Sequence, residues 1–187
     1  MKTYLTQQYL DRLSSLLRNE NRSRLLLHGL QPVQFDALQY LMACNHYSDT
    51  PMAVTEFLGQ TKGTVSQTLK VLEKKGFVTK TIDQQDKRVV HLSVTPQGSK
   101  LIKQIQASAL LQKGATLMSD EKLEALNSSL ELLLNKVQLA NQLKTFGECH
   151  SCLHHTKLTS GGLLCGLTQE RLLTTDAKLI CREHHPL

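Results

Sequence analysis

The chain has 187 residues, 40% of them apolar, which allows one ordinary domain plus a small extra unit and argues against wholesale disorder. It contains no Trp and only four Tyr and four Phe, so a helical core of aliphatic residues is favoured over a large sheet. A net charge of +6 makes a polyanionic partner plausible. No apolar run reaches the roughly 18 residues of a membrane span, and the first residues do not resemble a secretory signal. A cytoplasmic protein without membrane contact is therefore expected.

Four helices are predicted in the first half of the chain from apolar spacing and from start and stop residues. They run from about Thr3 to Leu27, from Pro32 to Met42, from Pro51 to Leu58, and from Thr61 to a stop at Gly76. The second and third open with proline at the first helical position. Only Gly59-Gln60-Thr61 separates the last two, and two short helices joined by a tight turn with glycine form a helix-turn-helix pattern.

The period of the sequence changes after Gly76 from helical to alternating. Residues 77–82 and 89–94 read as two strands, and the connection 83–88 is entirely polar and charged. This predicts a hairpin with a solvated tip, a wing.

Two further helices are predicted after the hairpin. One opens at Thr95-Pro96 and carries an apolar side from Leu101 to Ala109. The other opens at Ser119 and has an apolar seam with extra flanking leucines up to Leu143. A helix that is apolar on more than one face needs two neighbours, one of them in a partner chain.

The second helix of the tight pair exposes a short polar set opposite its apolar stripe, and hydroxyl and amide groups can approach base edges while lysines neutralise phosphates. The set consists of Lys62, Thr64, Ser66, Gln67 and Lys70. Residues 61–88 hold seven Lys and Arg against three acids, and Arg88 on the wing could enter a minor groove. The alternative is a helical bundle with basic solvated faces, but such faces usually mix Glu and Lys evenly. Double-stranded DNA is therefore the predicted partner.

Several of these segments resemble the MarR family of bacterial regulators. Residues 61–69 (TKGTVSQTL) and 72–78 (LEKKGFV) are similar to that family's recognition helix and first strand. Residues 83–88 (DQQDKR) and 92–98 (LSVTPQG) resemble its wing and the start of its fifth helix. The resemblance covers about residues 1–145 and implies a mainly α, winged helix-turn-helix fold with long dimerisation helices.

The resemblance also implies a function and roles for individual residues. It implies a homodimer, formed by the first and the last two helices, that binds a palindromic operator with half-sites about one helical turn apart. On the wing, Asp86 would brace Arg88 in the minor groove, with Lys87 beside it, and the exposed set of the recognition helix would face the major groove. Many members bind small aromatic ligands, but no distinctive ligand set is visible here.

Residues 146–187 form a second unit, predicted to bind metal, and the unit 1–145 precedes it. Four of the five Cys and five of the eight His lie in it. In a reducing compartment such residues serve more often as metal ligands or redox groups than as structural disulfides. The candidate ligands are Cys149, Cys152, Cys165 and Cys181, with His184 as an alternative.

Three readings of this tail stay open. Four thiols in apolar surroundings suit an iron–sulfur cluster, the first choice. Cys149, Cys152, Cys181 and His184 would instead make a zinc site with Cys165 as a spare thiol. In the third reading, the thiols cycle between reduced and disulfide forms without metal. A short helix capped by residues 174–176 is expected to run into Cys181, while His150, His154 and His155 are read as surface residues and Cys44 as a core residue.

These features together predict a repressor whose operator affinity depends on a metal or redox centre in the tail, transmitted through the adjacent dimerisation helix near Leu143. The alternative is a MarR-type regulator with a structural zinc clip and a small-molecule signal. An architectural DNA binder is a further option. A metalloenzyme is disfavoured because H-E-x-x-H is absent and no Ser/His/Asp or Cys/His arrangement stands out, so the protein is predicted not to be an enzyme.

Overall fold

The computed structural model describes residues 2–105, 108–140 and 144–186. The helices in chain order are α1 Lys2–Leu27, α2 Pro32–Ala43, α3 Pro51–Leu58, α4 Lys62–Lys74, α5 Pro96–Ile105, α6 Ala109–Ala115 and α7 Asp120–Ala140. The strands are β1 Val78–Ile82, β2 Val90–Val94, β3 His155–Lys157, β4 Leu163–Cys165 and β5 Arg171–Leu172. The predicted mainly helical, winged helix-turn-helix fold is confirmed. No helix in the described part of the chain has the length and apolarity of a membrane span.

The α3–α4 pair is defined by its caps. The Thr50 hydroxyl accepts a hydrogen bond from the Ala53 amide at 3.3 Å, and that of Thr61 accepts one from the Thr64 amide at 3.2 Å. Gly59 ends α3 in the left-handed conformation (φ +60°), which glycine adopts without steric cost. These local signals fix the tight turn before any tertiary contact forms.

One hydrophobic core joins α2, α3, α4, α5 and the β1–β2 hairpin. Its fully buried side chains come from every one of these elements and include Leu38, Tyr40, Val54, Leu69, Leu72, Val78, Leu92 and Ile102. Leu25 and Leu30, at the end of α1 and after it, complete this cluster. The core therefore holds the α3–α4 pair and the hairpin in one rigid unit.

The hairpin is antiparallel, with Val78 opposite Val94 and Ile82 opposite Val90. Its root is fixed from two sides. The Leu92 amide donates to the Asp49 carbonyl at 2.8 Å, so the loop before α3 extends the hairpin at its edge. On the other side α5 packs so closely that a Cβ on Gly98 would lie 2.5 Å from the Phe77 carbonyl oxygen.

The prediction of one helix from Pro96 through Ala109 is wrong. α5 ends at Ile105, and Ser108 has extended backbone (φ −63°, ψ 114°) and caps α6 through its hydroxyl, which accepts from the Leu111 amide at 3.0 Å. The Glu20 carboxylate of α1 accepts from the Ser108 hydroxyl and, at 3.2 Å, from the Leu110 amide. This contact from α1 stabilises the start of a second helix, although the apolar period continues through the break.

Helices α1, α6 and α7 carry much of the exposed apolar surface. The described residues of α6 and α7 include no buried side chain. The large exposed apolar side chains of these three helices include Tyr4, Leu5, Tyr9, Leu13, Leu110, Leu111, Leu126, Leu130, Leu134 and Val137. Leu143, to which the predicted coupling route was attached, lies outside the described residues.

The tail 144–186 contains a small antiparallel sheet, β3-β4-β5, and two turns of 3-10 helix, Cys149–Ser151 and Asp176–Lys178. The predicted helix into Cys181 is wrong. The 3-10 turn stops at Lys178, and Leu179 is extended (φ −94°, ψ 145°). Ile180 then forms isolated bridges to Cys44 on one side and to Glu148 on the other. Cys181 therefore follows an extended segment that is paired with the winged-helix unit.

Candidate nucleic-acid interface and cysteine cavity

One face of α4 is polar and exposed, and the opposite face is buried. Val65, Leu69 and Leu72 point into the core. The side chains predicted to contact DNA all lie on the exposed part of the helix: Lys62, Thr64, Ser66, Gln67 and Lys70. The structure thus places the predicted set together on one accessible helix face, while their contact with DNA stays a prediction.

The wing tip is held by carboxylates. Arg88 donates from Nε to Asp86 Oδ1 at 2.9 Å and from its terminal nitrogen to Asp86 Oδ2 at 2.8 Å, a bidentate pair. The hydrogen bonds from Arg88 lower the pKa of Asp86 below its ordinary value. The Arg88 side chain is nonetheless 90% exposed, and Lys87 beside it is exposed as well. The brace implied by the family resemblance is present in this geometry.

A second carboxylate, Asp83, connects the tip to the root of the wing. Asp83 Oδ1 accepts from the Gln85 and Asp86 amides at 2.7 Å each, and these bonds lower its pKa. Asp83 Oδ2 lies 3.3 Å from Nε2 of His91, whose Nδ1 lies 2.6 Å from Asp49 Oδ1. Sequence reasoning missed this arrangement because Asp49 and His91 are 42 residues apart.

The tail docks on the winged-helix unit, chiefly at the end of α2, the loop 45–49 and α3. The Ile180 amide donates to the Ala43 carbonyl and the Asn45 amide donates to the Ile180 carbonyl, both at 2.9 Å. Arg182 forms a bidentate pair with Glu56 of α3, with distances of 2.7 and 2.8 Å. These contacts join the tail to α2, the loop 45–49 and α3, and the expectation that the tail acts through the dimerisation helix stays a prediction.

An aromatic cluster seals this docking surface. Phe146 is buried in the winged-helix core, with its ring centroid 5.9 Å from that of Tyr40 and 5.3 Å from that of Phe57. Tyr40 and Phe57 lie 4.4 Å apart. The first residue of the predicted second unit is thus part of the core of the first.

The four tail cysteines line one small cavity of about 80 Å³. Its wall includes Asn45 and Tyr47 from the loop 45–49, and also His154 and His155. Cys149 and Cys152 are buried, and all four cysteines are free thiols. Burial, followed by the neighbouring thiols Cys152, Cys165 and Cys181, raises the pKa of Cys149 to about 11.

His184 lies apart from this cavity. Its Nδ1 is 2.7 Å from the Thr145 hydroxyl and its Nε2 is 3.0 Å from the Ser151 hydroxyl. The imidazole also packs on Gly147, where a Cβ would approach the ring within 2.5 Å. His155 occupies the cavity wall instead, with Nδ1 3.5 Å from Cys149 Sγ.

The side chains that line the cavity are of the types that bind a thiophilic metal, but they are not positioned to coordinate one. Among residues 2–105, 108–140 and 144–186, no group of three or more Cys, His, Asp or Glu side chains is arranged so that it could hold a metal ion. Four thiols in an apolar cavity are nonetheless the donor set that iron–sulfur clusters and zinc prefer. The thiols surround the cavity without converging, so binding would require them to close on the metal.

Comparison with known proteins covers most of the chain. Residues 28–89 match the MarR family model. The transcriptional repressor MprA of Escherichia coli K12 is 27% identical over 141 residues, which are 74% of this chain and 79% of MprA.

Solved structures show the same fold. MepR of S. aureus in its DNA-binding conformation is 24% identical, with a TM-score of 0.61 over 74% of this chain and 99% of MepR. The regulator Tm0710 of Thermotoga maritima is 26% identical, with a TM-score of 0.52 over 74% of this chain and 96% of that protein. About a quarter of this chain lies outside each of these matches. The matched segment 28–89, which is a third of the chain, and the order of its helices and wing strands make the chain similar to regulators of the MarR family.

Proposed function

We propose that the protein is a homodimeric, sequence-specific DNA-binding repressor. The observation that carries this is the exposed polar face of α4 together with Arg88, which Asp86 holds in a bidentate pair while leaving it 90% exposed. An arginine held ready in this way loses little conformational freedom when it enters a groove. The relatives are consistent with this function, since MprA is named a transcriptional repressor and MepR has been solved in complex with DNA.

The apolar faces of α1, α6 and α7 support the homodimer. Single exposed leucines are ordinary on a protein surface, but here they extend along three helices of one chain. A second copy of the chain would bury them. Two-fold symmetry would then present two α4 helices to a palindromic site with half-sites about one helical turn apart.

The test is selection of bound duplexes from a randomised DNA library by the full-length protein. We expect one palindromic sequence to be enriched. Arg88→Ala should weaken binding to it about tenfold or more, and Asp86→Ala should weaken it less, because Arg88 stays present but unbraced. Lys157→Ala, an exposed charge change on β3, is the matched control and should change affinity little. Equal binding of the selected and random duplexes would overturn the proposal.

We propose further that the tail thiols hold a thiophilic centre, an iron–sulfur cluster in preference to zinc, which modulates operator affinity. The specific observation is that Cys149, Cys152, Cys165 and Cys181 line one cavity. The zinc set that includes His184 is less favoured, because both nitrogens of that imidazole already have hydroxyl partners. Such a centre, when bound, would supply cross-linking of the tail and sensitivity to oxidation.

Metal analysis of anaerobically purified protein separates the three readings. Iron and sulfide with absorption near roughly 400 nm would support the cluster. Colourless protein with zinc would support the clip, and retention of that zinc in Cys165→Ser would leave Cys165 as a spare thiol. Protein without iron, sulfide or zinc would leave thiol–disulfide cycling as the remaining interpretation. Counting free thiols before and after oxidation would then measure that cycling.

A further inference from the structure

We propose that the tail acts on the wing of its own protomer through the loop 45–49, hereafter the bridging loop, and that the bridging loop is the element through which the state of the cysteine cavity reaches Arg88. This inference rests on the proposed function, because it names the regulation of the same DNA-binding site. It places the coupling within one chain, between the tail and the wing.

The tail holds the bridging loop at three points. Asn45 donates its amide to the Ile180 carbonyl at 2.9 Å. Ser48 accepts the Arg182 amide on its hydroxyl at 2.8 Å. Tyr47 donates its hydroxyl to the Glu170 carboxylate and lies 3.1 Å from the Thr168 hydroxyl.

The bridging loop is also a wall of the cysteine cavity. Asn45 and Tyr47 line it together with the thiols, and a cavity of about 80 Å³ has little free space. Drawing the four thiols together on a metal, or joining two of them in a disulfide, requires β4 and the Cys149–Cys152 turn to move. Because packed groups do not deform continuously, such a movement displaces the wall that touches them.

The far end of the bridging loop holds the root of the wing. Asp49 accepts the Leu92 amide on its carbonyl at 2.8 Å and holds Nδ1 of His91 at 2.6 Å through its carboxylate. His91 in turn contacts Asp83, which fixes the amide of Asp86. Hydrogen bonds, joined through the backbone between Ser48 and Asp49, therefore connect Ile180 and Arg182 to Asp86, the residue that braces Arg88.

Ser48 anchors the middle of this series. Its side chain is fully buried, donates to the Asn45 side-chain oxygen at 2.7 Å, and its carbonyl accepts the Tyr40 hydroxyl at 2.8 Å. The bridging loop is thus a stiff element held by internal bonds, which transmits displacement instead of absorbing it. Coupling between the two ends of this series calls for an energetic test.

A double-mutant cycle in the full-length protein supplies it. The tail change is Cys165→Ser, which keeps the size of the side chain, and the wing-root change is Asp49→Ala. Affinity is measured for the duplex selected from the random library. We expect Cys165→Ser to change the affinity at least fivefold in the wild-type background, the lower end of known coupling effects, and less than twofold in Asp49→Ala.

Thr79→Ala provides the matched background. Thr79 lies in the same hairpin, is exposed, and stands outside the series of bonds. In this background Cys165→Ser should keep its full effect. An equal effect of Cys165→Ser in all three backgrounds, or no effect in any, would overturn the inference while the regulator function stands.

Amide hydrogen exchange of the Leu92 N–H gives a readout that needs no DNA. We expect Cys165→Ser to speed exchange at Leu92 at least fivefold and to leave Ile102, in the core of α5, unchanged. If no duplex is selected, the proposed function fails while this measurement still reports on the coupling. Unchanged exchange at Leu92 would overturn the coupling on its own.

Discussion

The winged-helix unit and the cysteine tail are built on opposite principles. The winged-helix unit buries aliphatic side chains from five helices and a hairpin around one core. In the described tail the buried side chains are Thr145, Phe146, Cys149, Cys152 and His184, and Phe146 belongs to the core of the other unit. The tail is instead held by its docking bonds and by contacts among polar groups.

This difference predicts that the tail opens more easily than the winged-helix unit. Regions with few buried apolar contacts open at lower free energy than the global unfolding of a protein. A short segment with so little core needs a staple or a docking partner. Under the proposed function, a change at the thiols would therefore alter the tail while the core that positions α4 stays intact.

The largest expected difference in stability between the two regions comes from truncating a core side chain. Leu72→Ala, at a fully buried position in α4, should lower the free energy of unfolding by about 2–5 kcal/mol because it leaves a cavity. Leu167→Ala, in a tail residue that is 49% exposed, should cost less than about 0.5 kcal/mol. Denaturant titration of both variants measures this, and similar losses in the two would contradict the division into core and docked tail.

A glycine-to-alanine pair tests the tail's internal packing. Gly147→Ala should destabilise the tail by about 1–3 kcal/mol, because the new Cβ would meet the His184 ring within 2.5 Å. Gly114→Ala is the control: it lies in α6 with no atom within 4 Å of a new Cβ, and should stabilise by about 0.5–1 kcal/mol. Limited proteolysis of the tail and denaturant titration separate the two, and an intact, protease-resistant tail in Gly147→Ala would refute the packing argument.

Two matched glutamates test the docking surface. Glu56→Gln should lower the free energy of unfolding by about 1 kcal/mol, because Glu56 accepts two hydrogen bonds from Arg182 in a partly buried pair. The same hydrogen bonds lower the pKa of Glu56. Glu73→Gln removes the more exposed pair with Lys80 and should cost about 0.3 kcal/mol. The Glu56 contribution should be lost as pH falls below the ordinary pKa of a glutamate, since its folded pKa is lowered. If both variants lost the same amount of unfolding free energy, and salt reduced both losses, the Arg182–Glu56 pair would contribute no more than an ordinary surface ion pair.

The smallest predicted effect is a pH dependence at the root of the wing. The hydrogen bond to Asp49 raises the pKa of His91 above its ordinary value, and the negative charges of Asp49 and Asp83 add to this effect. Desolvation acts in the opposite direction but is outweighed. The stabilisation is complete below the ordinary pKa of histidine and is lost as pH rises through the raised value. The difference in unfolding free energy between the wild type and His91→Gln should therefore shrink, by less than about 1 kcal/mol, from about pH 6 to pH 9. A difference that grows over this range would reverse the sign of the argument.

The sequence predicted the parts of the fold that local patterns determine. The caps at Thr50 and Thr61, the stop at Gly59 and the alternation of the hairpin lie within a few residues of the structures they specify. The Asp86–Arg88 brace joins residues two apart, so the resemblance could assign it directly.

What could not be predicted depends on contacts distant in sequence. The pair of Arg182 with Glu56 spans 126 residues, and the cap of Ser108 by Glu20 spans 88. The second of these breaks a helix that the apolar period alone would continue. The hydroxyl partners of His184 likewise hold it outside the cysteine cavity, although the sequence offered it as an alternative ligand.

The burial of Phe146 against Tyr40 and Phe57 has a consequence during synthesis of the chain. Domains fold from the N-terminus as they emerge, at about 5–20 residues per second, so the winged-helix unit, complete at Ile105, is made about 4–15 s before Ile180. During that interval the edge of Cys44 and the faces of two aromatic rings lack the residues that later cover them. The nascent chain is thus expected to pass through a stage in which the α4 face is formed and the docking surface of the tail is still uncovered. The last forty residues then cover that surface.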